Sequence, residues 1–583
     1  MQHNKVPHPE DHRRMVLFFL ITALIMTLSY MFITRPNIER ARVEAAAVAA
    51  TAAPQVAAAS AGAKDYITVD QALGQSAKRV TLETGKVKGS LAVTGLRIDD
   101  VLLKDYYTTL EKTDRVRLLA PSMTKDSNFV EVGMIADGVK VPDNDTQWHV
   151  VSGEALTPQT PVVLEWDNGQ GLMFRRTLSV DDAYVVTVEQ SVKNNGSTEV
   201  ALYPYALISE SHPTLAKGEK VPFDKQVSSV QHMGPLAYVN DELQEEAYGD
   251  MRDKKNIEYK DAKGWLGMTS KYWLVALLPS ADETFDARFA YQTGAAGQDI
   301  FQADMRGSKL VIPAAGEART QMRIFTGVKK LSVLNGYSET LQVPKLDLAV
   351  DFGVLYFLTK PLYHLLSFLG NFFESQFPLQ VSFGVALLVL TVIVRAATFP
   401  LQNKAYRSMN AMKDLAPKLH ELKEKYGDDK AKFQQEVMGL YKREKVNPAS
   451  GCLPILIQIP IFFALYKVIY ITLDMRQAPF WGWIHDLSAP DPTNVFNLFG
   501  LLPFHPPAFL AIGAWPLLYG LTMWIQQALN PKPEDPMQQQ VFAMLPWVFT
   551  FIFAQFPAGL VIYYTWSNIL GIVQQYSLRK MHK

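Results

Sequence analysis

Residues 381–399 read VSFGVALLVLTVIVRAATF, and their only charge is Arg395. At about 1.5 Å of helical rise per residue, such a run can cross a hydrocarbon core of roughly 30 Å. Reading outward, residues 453–473 are apolar except for Lys467, and 508–525 carry no charge. Between Asp535 and Arg579 lie 43 charge-free residues, enough for a helix of roughly 64 Å, about twice one crossing. Phe556-Pro557-Ala558-Gly559 interrupts them, and proline and glycine break helices. Two spans are therefore expected, about 541–556 and 559–575, joined by a tight turn at Pro557 and Gly559. Upstream, residues 15–33 form another charge-free run. A cleaved signal peptide would have a shorter apolar region ending in small residues. This run ends in Met31-Phe32-Ile33-Thr34-Arg35-Pro36, which favours an uncleaved anchor.

The expected fold is an α-helical membrane protein with six transmembrane helices and a large all-β domain between the first and second spans. Charge sets its orientation. Lys5, Arg13 and Arg14 hold residues 1–14 in the cytoplasm, although Arg35, Arg40 and Arg42 argue the other way. With six spans, the loop 402–452 is cytoplasmic, with eleven Lys/Arg against seven Asp/Glu. Residues 474–507 carry one basic side chain, Arg476, and face outside, and the short basic tail 579–583 returns to the cytoplasm. Residues 346–375 include an ambiguous run, 352–369, with Thr359-Lys360-Pro361 and His364. If it spanned, every later segment would invert, so it reads as an amphipathic helix in the outer interface with Lys360 snorkelling.

The chain has 583 residues, 57 basic and 57 acidic side chains, and one cysteine, Cys452. Zero net charge removes a global electrostatic case for direct nucleic-acid binding. A single cysteine excludes an internal disulfide framework and a thiolate-built metal site. Residues 45–63, within a linker at 34–64, contain 12 alanines and read as a flexible tether or a helical stalk. Residues 65–345 read as β. Tyr184, Val186 and Val188 alternate with Val185, Thr187 and Glu189 before the turn Asn194-Asn195-Gly196. Val162-Val163-Leu164, Asp167-Asn168-Gly169 and Leu172-Met173-Phe174 make a hairpin signature, and 203–207 and 272–278 are further strands. An extended or doubled sandwich suits this length.

Arg395 is the most informative residue. A charge in a span is costly, about 2.5–3.5 kcal/mol near the centre on insertion scales, so it faces protein or water, or snorkels to the nearer surface. Thr391 lies one helical turn before it, and Gln458, Tyr563, Tyr564, Ser567 and Asn568 add polar groups to other spans. They could line a hydrated cavity or make ordinary interhelical hydrogen bonds. In the cytoplasmic loop, Met409, Met412, Leu415, Leu419, Leu422 and Tyr426 recur at spacings of three or four, and Phe433, Val437, Leu440 and Tyr441 resume the pattern after Gly427-Asp428-Asp429. Such a hairpin at 402–450 can close on itself or dock a ribosome or nascent chain. The sequence contains no GxxxxGK[ST], GxGxxG or HExxH motif, so no cofactor, resident metal or enzymatic step is expected.

Taken together, VIVRAATFPL at 392–401, YKREKVNPASGCLPILIQIPIF at 441–462, RQAPFWGWIHDLSAPDP at 476–492, DPMQQ at 535–539 and FPAGLVIYY at 556–564 resemble the YidC family of membrane protein insertases. The resemblance covers about 350–583 closely and the β region more loosely, in the manner of the Gram-negative form with its periplasmic β-supersandwich. It implies a five-helix insertase core at 376–578, enclosing a hydrophilic groove open to cytoplasm and lipid. Arg395 would be the groove arginine, Thr391 and Gln458 its polar neighbours, and the third and fifth spans a greasy exit path. It also implies nascent integral membrane proteins as clients, the Sec translocon and its accessory subunits as partners, transient contact with the ribosome and the signal recognition pathway, and an inner-membrane location. Lys467 departs from the uncharged residue expected there, and the short tail implies no basic ribosome-binding extension. Two other classes compete: a transporter, which would need a pathway often built on internal repeats, and a membrane-tethered carbohydrate-active protein, by fold analogy alone.

Overall fold

The computed structural model describes residues 66–75, 78–212, 231–294, 297–377, 381–426, 429–444, 453–502, 504, 511–529 and 536–581. The expected first span at 15–33 and the linker at 34–64 lie outside them.

Residues 79–328 form two large sheets, of eleven and nine strands. Pairing is antiparallel throughout except for Arg79–Glu83 beside Ala155–Leu156. Period-two alternation drives the central pairing. Val185–Asn194 lies between Leu172–Val180 and Glu317–Val328, with Val186, Val188 and Val192 buried and Glu189 turned outward. Val162–Asp167 and Leu172–Val180 close a hairpin in which Gly169 and Gly171 adopt φ of +70° and +91°, a region that favours glycine. Asn194-Asn195-Gly196 does not close a hairpin. Val185–Asn194 belongs to the nine-stranded sheet and the next strand, Val200–His212, to the eleven-stranded one. The Asn194 amide donates to the carbonyls of Thr198 and Ile312 at 2.7 and 3.2 Å, fixing the chain where it changes sheets. Ala206, Ile208, Leu274, Ala276 and Phe325 belong to the core the two sheets share.

The C-terminal half is helical: α1 Tyr356–Gln376, α2 Ser382–Asp414, α3 Ala416–Tyr426, α4 Lys430–Arg443, α5 Leu453–Ile471, α6 Ala514–Leu529, α7 Pro536–Phe553 and α8 Ala558–Met581. Among the described residues, Ser382–Lys404 is the helix both long and apolar enough to cross a membrane, and Gln458–Ile471 and Gln539–Phe553 are shorter apolar helices. α1 packs on α2 and α5, α8 packs on α2 and α6, and α6 packs on α7. α1 buries Leu362, Tyr363 and Leu366 and exposes Phe357 and Phe368, while Lys360 pairs with Asp347 at 2.9 Å.

Several boundaries differ from the sequence expectation, among them α7 at Pro536–Phe553 and α8 at Ala558–Met581 for spans expected at about 541–556 and 559–575. The helix expected to end near 400 runs through Pro400 to Asp414. The stripe 409–426 is therefore divided between α2 and α3, because Pro417 lacks the N–H that would continue the ladder and restricts the residue before it. The span expected at 508–525 is helical from Ala514. The cause is a cap supplied from the preceding loop: Asp491 accepts from the Trp515 N–H at 2.9 Å, and Thr493 Oγ1 accepts from the Ala514 N–H at 3.0 Å.

Candidate functional site

Arg395 sits two-thirds of the way along the apolar part of α2, partly buried. Its Nε donates to Ser567 Oγ at 2.8 Å, Nη2 donates to the Ser567 carbonyl at 2.5 Å, and Nη1 donates to Gln402 Oε1 at 2.9 Å. Gln402 in turn donates to Thr398 Oγ1 at 2.9 Å. α8 leaves room for the guanidinium at Gly571, where an added Cβ would stand 3.2 Å from both Nη atoms and 3.0 Å from Gln526 Nε2. On the adjoining face Asn568 Nδ2 donates to Thr522 Oγ1 at 3.2 Å. Three helices, α2, α6 and α8, thus supply polar side chains around one fixed cation, while their other faces remain apolar.

The residues expected beside Arg395 separate into two groups. Ser567 touches it directly. Thr391 is fully buried, and its hydroxyl donates back to the Leu387 carbonyl at 2.7 Å, within its own helix. Tyr563 is buried within electrostatic reach of Arg395. Tyr564 is buried among Phe462, Tyr519 and Phe553, with Gln458 reaching toward its hydroxyl. Gln402, Gln526 and Gly571 were missed. Gln402 falls two turns after Arg395 on the same helical face, a signal available to periodicity. The other two become neighbours only through the packing of α6 on α8.

In the expected hairpin at 402–450, α3 and α4 pack together with Leu415, Leu419 and Leu440 buried and Tyr426 and Tyr441 half-buried. Lys418 pairs with Glu444 at 2.5 Å, and Asp429 caps α4 by accepting from the Lys432 N–H. The apolar stripes are spent largely on each other; Met438 stays exposed. The side chains of Met409 and Met412 lie outside the described residues. Pro557 and Gly559 stand where α7 gives way to α8. The Gly559 N–H donates to the Leu487 carbonyl at 2.9 Å, and an added Cβ would meet that oxygen at 3.0 Å, so the turn is packed against the loop between α5 and α6.

A second polar cluster joins the β-domain to the helices. Asp351 Oδ2 accepts from Lys467 Nζ at 2.7 Å and from the His232 N–H at 2.9 Å, and Oδ1 accepts from the Gly353 N–H at 2.8 Å. Burial alone would raise this carboxyl, but the Lys467 charge and these hydrogen bonds hold it below the usual carboxylate range. Nearby Lys329 is buried, which pushes its ammonium down to about 7 despite the attraction of Asp351. Around them Lys330 pairs with Asp474 at 2.8 Å, Arg476 donates to the Tyr107 carbonyl, and Lys271 lies 3.7 Å from the Tyr470 ring centroid.

Family models place both halves. The YidC periplasmic domain model matches residues 79–365, and the 60Kd inner membrane protein model matches residues 373–583. The membrane protein insertase YidC of Rickettsia rickettsii (strain Iowa) is 43% identical over 509 residues, 87% of this chain and 88% of the relative. This chain belongs to the YidC family. The insertase YidC of Brucella suis biovar 1 (strain 1330) is likewise 43% identical, over 89% of this chain and 83% of its own. Among solved structures, an active YidC insertase with its first transmembrane domain resolved covers 86% of this chain at 17% identity, with a TM-score of 0.35. A galactose mutarotase-like protein from Lactobacillus casei ATCC 334 covers 43% at 11% identity, with a TM-score of 0.28. The family assignment brings an inner-membrane protein with a periplasmic β-rich domain and a C-terminal helical region.

Proposed function

We propose that this chain inserts nascent membrane proteins into the inner membrane along the polar face that α2, α6 and α8 turn toward Arg395. The observation that carries the reading is the mounting of that guanidinium. Ser567 and Gln402 hold it in place, yet it remains partly exposed in the apolar part of α2. A cation fixed in a low-dielectric setting attracts a carboxylate more strongly than one in bulk water does. An acidic tail of a client is held there transiently, and its apolar segment then partitions into lipid beside the helices, at roughly 25 cal/mol for each Å² removed from water. No covalent bond forms or breaks, and no cofactor is required.

The topology that fits this work has six spans, both termini in the cytoplasm, the β-domain in the periplasm and α1 in the outer interface. The α3–α4 hairpin then faces the cytoplasm, where ribosome, signal recognition pathway and client converge, and the Sec translocon is a lateral partner for clients with many spans. Insertion of a client with an acidic tail into proteoliposomes tests the central residue. Arg395→Ala and Arg395→Glu should slow it at least about tenfold, equivalent to ~1.4 kcal/mol, while Arg395→Lys keeps the charge, loses the fork and falls between. Crosslinking probes at 402 and 526 should capture the tail. Normal insertion by Arg395→Ala would remove the mechanism.

A further inference from the structure

The first residues after α5, Asp474 and Arg476, contact the β-domain, but the described far part of the loop, from Val495 onward, takes no part in that junction or in the Arg395 site. Between Asp491 and Lys532 the sequence contains no Asp, Glu, Lys or Arg. At the tip of the loop, Phe496, Leu498, Phe499 and Phe504 stand about half exposed, and Leu501 is 82% exposed. Local hydrogen bonds hold them outward. Asn494 Oδ1 accepts from the Phe496 N–H at 2.9 Å, its carbonyl accepts from the Phe499 N–H at 2.8 Å, and the Leu502 N–H donates to the Asn497 carbonyl at 3.0 Å. Leu498 and Phe499 both take left-handed φ, +50° and +57°, a conformation that residues with a Cβ avoid. The Val495 N–H donates to the Ile512 carbonyl at 2.9 Å, tying the base of this finger to the start of α6. A loop meant for water would place glycine, asparagine or serine in such a turn and bury its leucines and phenylalanines.

The helices beside the finger indicate its surroundings. α6 has 16 described residues, starting at Ala514, about 24 Å by helical rise, against a hydrocarbon core of roughly 30 Å. Its exposed side chains are apolar, Leu518, Leu521 and Trp524 among them, so its outer end needs more apolar height or a thinner bilayer. Exposed Trp481 and Trp483, the latter donating to Asp491 at 3.1 Å, stand beside the cap of α6, in the manner of aromatic side chains at a headgroup boundary. We propose that residues 495–502, with Phe504, belong to a finger that inserts into the outer leaflet among phospholipid acyl chains, completing the apolar height that α6 lacks. The inference rests on the proposed topology, which puts this loop on the periplasmic side.

Full-length protein with Leu501→Cys in a Cys452→Ser background, carrying an environment-sensitive fluorophore, is reconstituted in phosphatidylethanolamine–phosphatidylglycerol vesicles. Position 501 is exposed, so the label displaces little; the same label at Glu154→Cys in the β-domain is the aqueous reference. Insertion predicts blue-shifted emission and strong quenching when the lipids carry acyl-chain bromines, with little loss to aqueous iodide. Iodide quenching equal to the reference overturns the finger while leaving the topology intact. A blue shift without bromine quenching means that protein covers the site, and also overturns it. Thiol labelling of unmodified 501 from the cytoplasmic side would instead overturn the topology.

Discussion

At the scale of single residues, Gly571 decides how much room Arg395 has. The atoms nearest an added Cβ, Nη1 and Nη2 of Arg395 and Nε2 of Gln526, are the ends of flexible side chains and can yield a few tenths of an ångström. Gly571→Ala should therefore insert an acidic-tailed client nearly as well as the parent. Gly571→Leu, which must displace the guanidinium from Ser567, should match the insertion loss seen with Arg395→Ala and also cost about 1–3 kcal/mol in thermal unfolding through overpacking. Lys329 gives a second expectation. Its Nζ has no hydrogen-bond partner among the described residues, and burial lowers its affinity for a proton to about 7. An unfolded lysine titrates near 10.4, so below about pH 7 both states hold the proton and the burial penalty is fully present. Between about 7 and 10.4 the unfolded chain binds more protons, and stability rises with pH. Lys329→Met should raise Tm at about pH 6, with a gain that shrinks as pH approaches about 10. Arg395 was legible because a charge in an apolar run stands out in one dimension. Gly571 was not, since a glycine's use as space for a side chain on another helix has no local sign.

At the scale of elements, α6 shows what a pattern of apolar residues can and cannot give. The charge-free run at 508–525 located a helix, yet where it begins is decided by Asp491, more than 20 residues before its first turn. One carboxylate accepts from the Trp515 N–H, the Trp483 indole, and the Thr493 N–H and hydroxyl. Gly513 is required beside it, because a Cβ there would lie 2.5 Å from the Asp491 carboxyl carbon. Asp491→Ala should cost about 1–2 kcal/mol as a lost cap, read as a lower midpoint in detergent unfolding, with Asp491→Asn retaining part of it. The same reasoning explains the α2–α3 boundary. Pro400 and Pro417 are alike in one dimension, but only Pro417 coincides with a helix end. The hairpin's stripes were legible as helices. That Leu415, Leu419 and Leu440 would bury against one another, rather than wait for a partner, followed from the pairing of α3 with α4.

At the scale of the whole molecule, the β-domain is fastened to the helices by charge as much as by apolar contact. Lys467 looked anomalous in its span because its counter-ion, Asp351, is over a hundred positions away. The pair is buried at a junction that also includes the His232 N–H, Lys330 with Asp474, and Arg476 with Tyr107. Removing one partner of a buried pair leaves the other unsatisfied and typically costs about 3–5 kcal/mol, whereas removing both can be nearly neutral. Asp351→Asn should be the harsher single change, since it removes the carboxylate that accepts from both Lys467 and the His232 N–H. Lys467→Met leaves a carboxylate that still accepts two N–H groups. The double variant should recover most of the loss in thermal unfolding; additive losses would mean that the two side chains stabilise the junction independently. Deleting residues 79–340 removes the Lys330 and Tyr107 contacts but keeps Asp351 and Lys467 in the same chain. That truncation should therefore still insert an acidic-tailed client while unfolding at a lower temperature. Adding Asp351→Asn to it should lower the unfolding temperature further, because it removes the carboxylate that accepts from Lys467 at 2.7 Å.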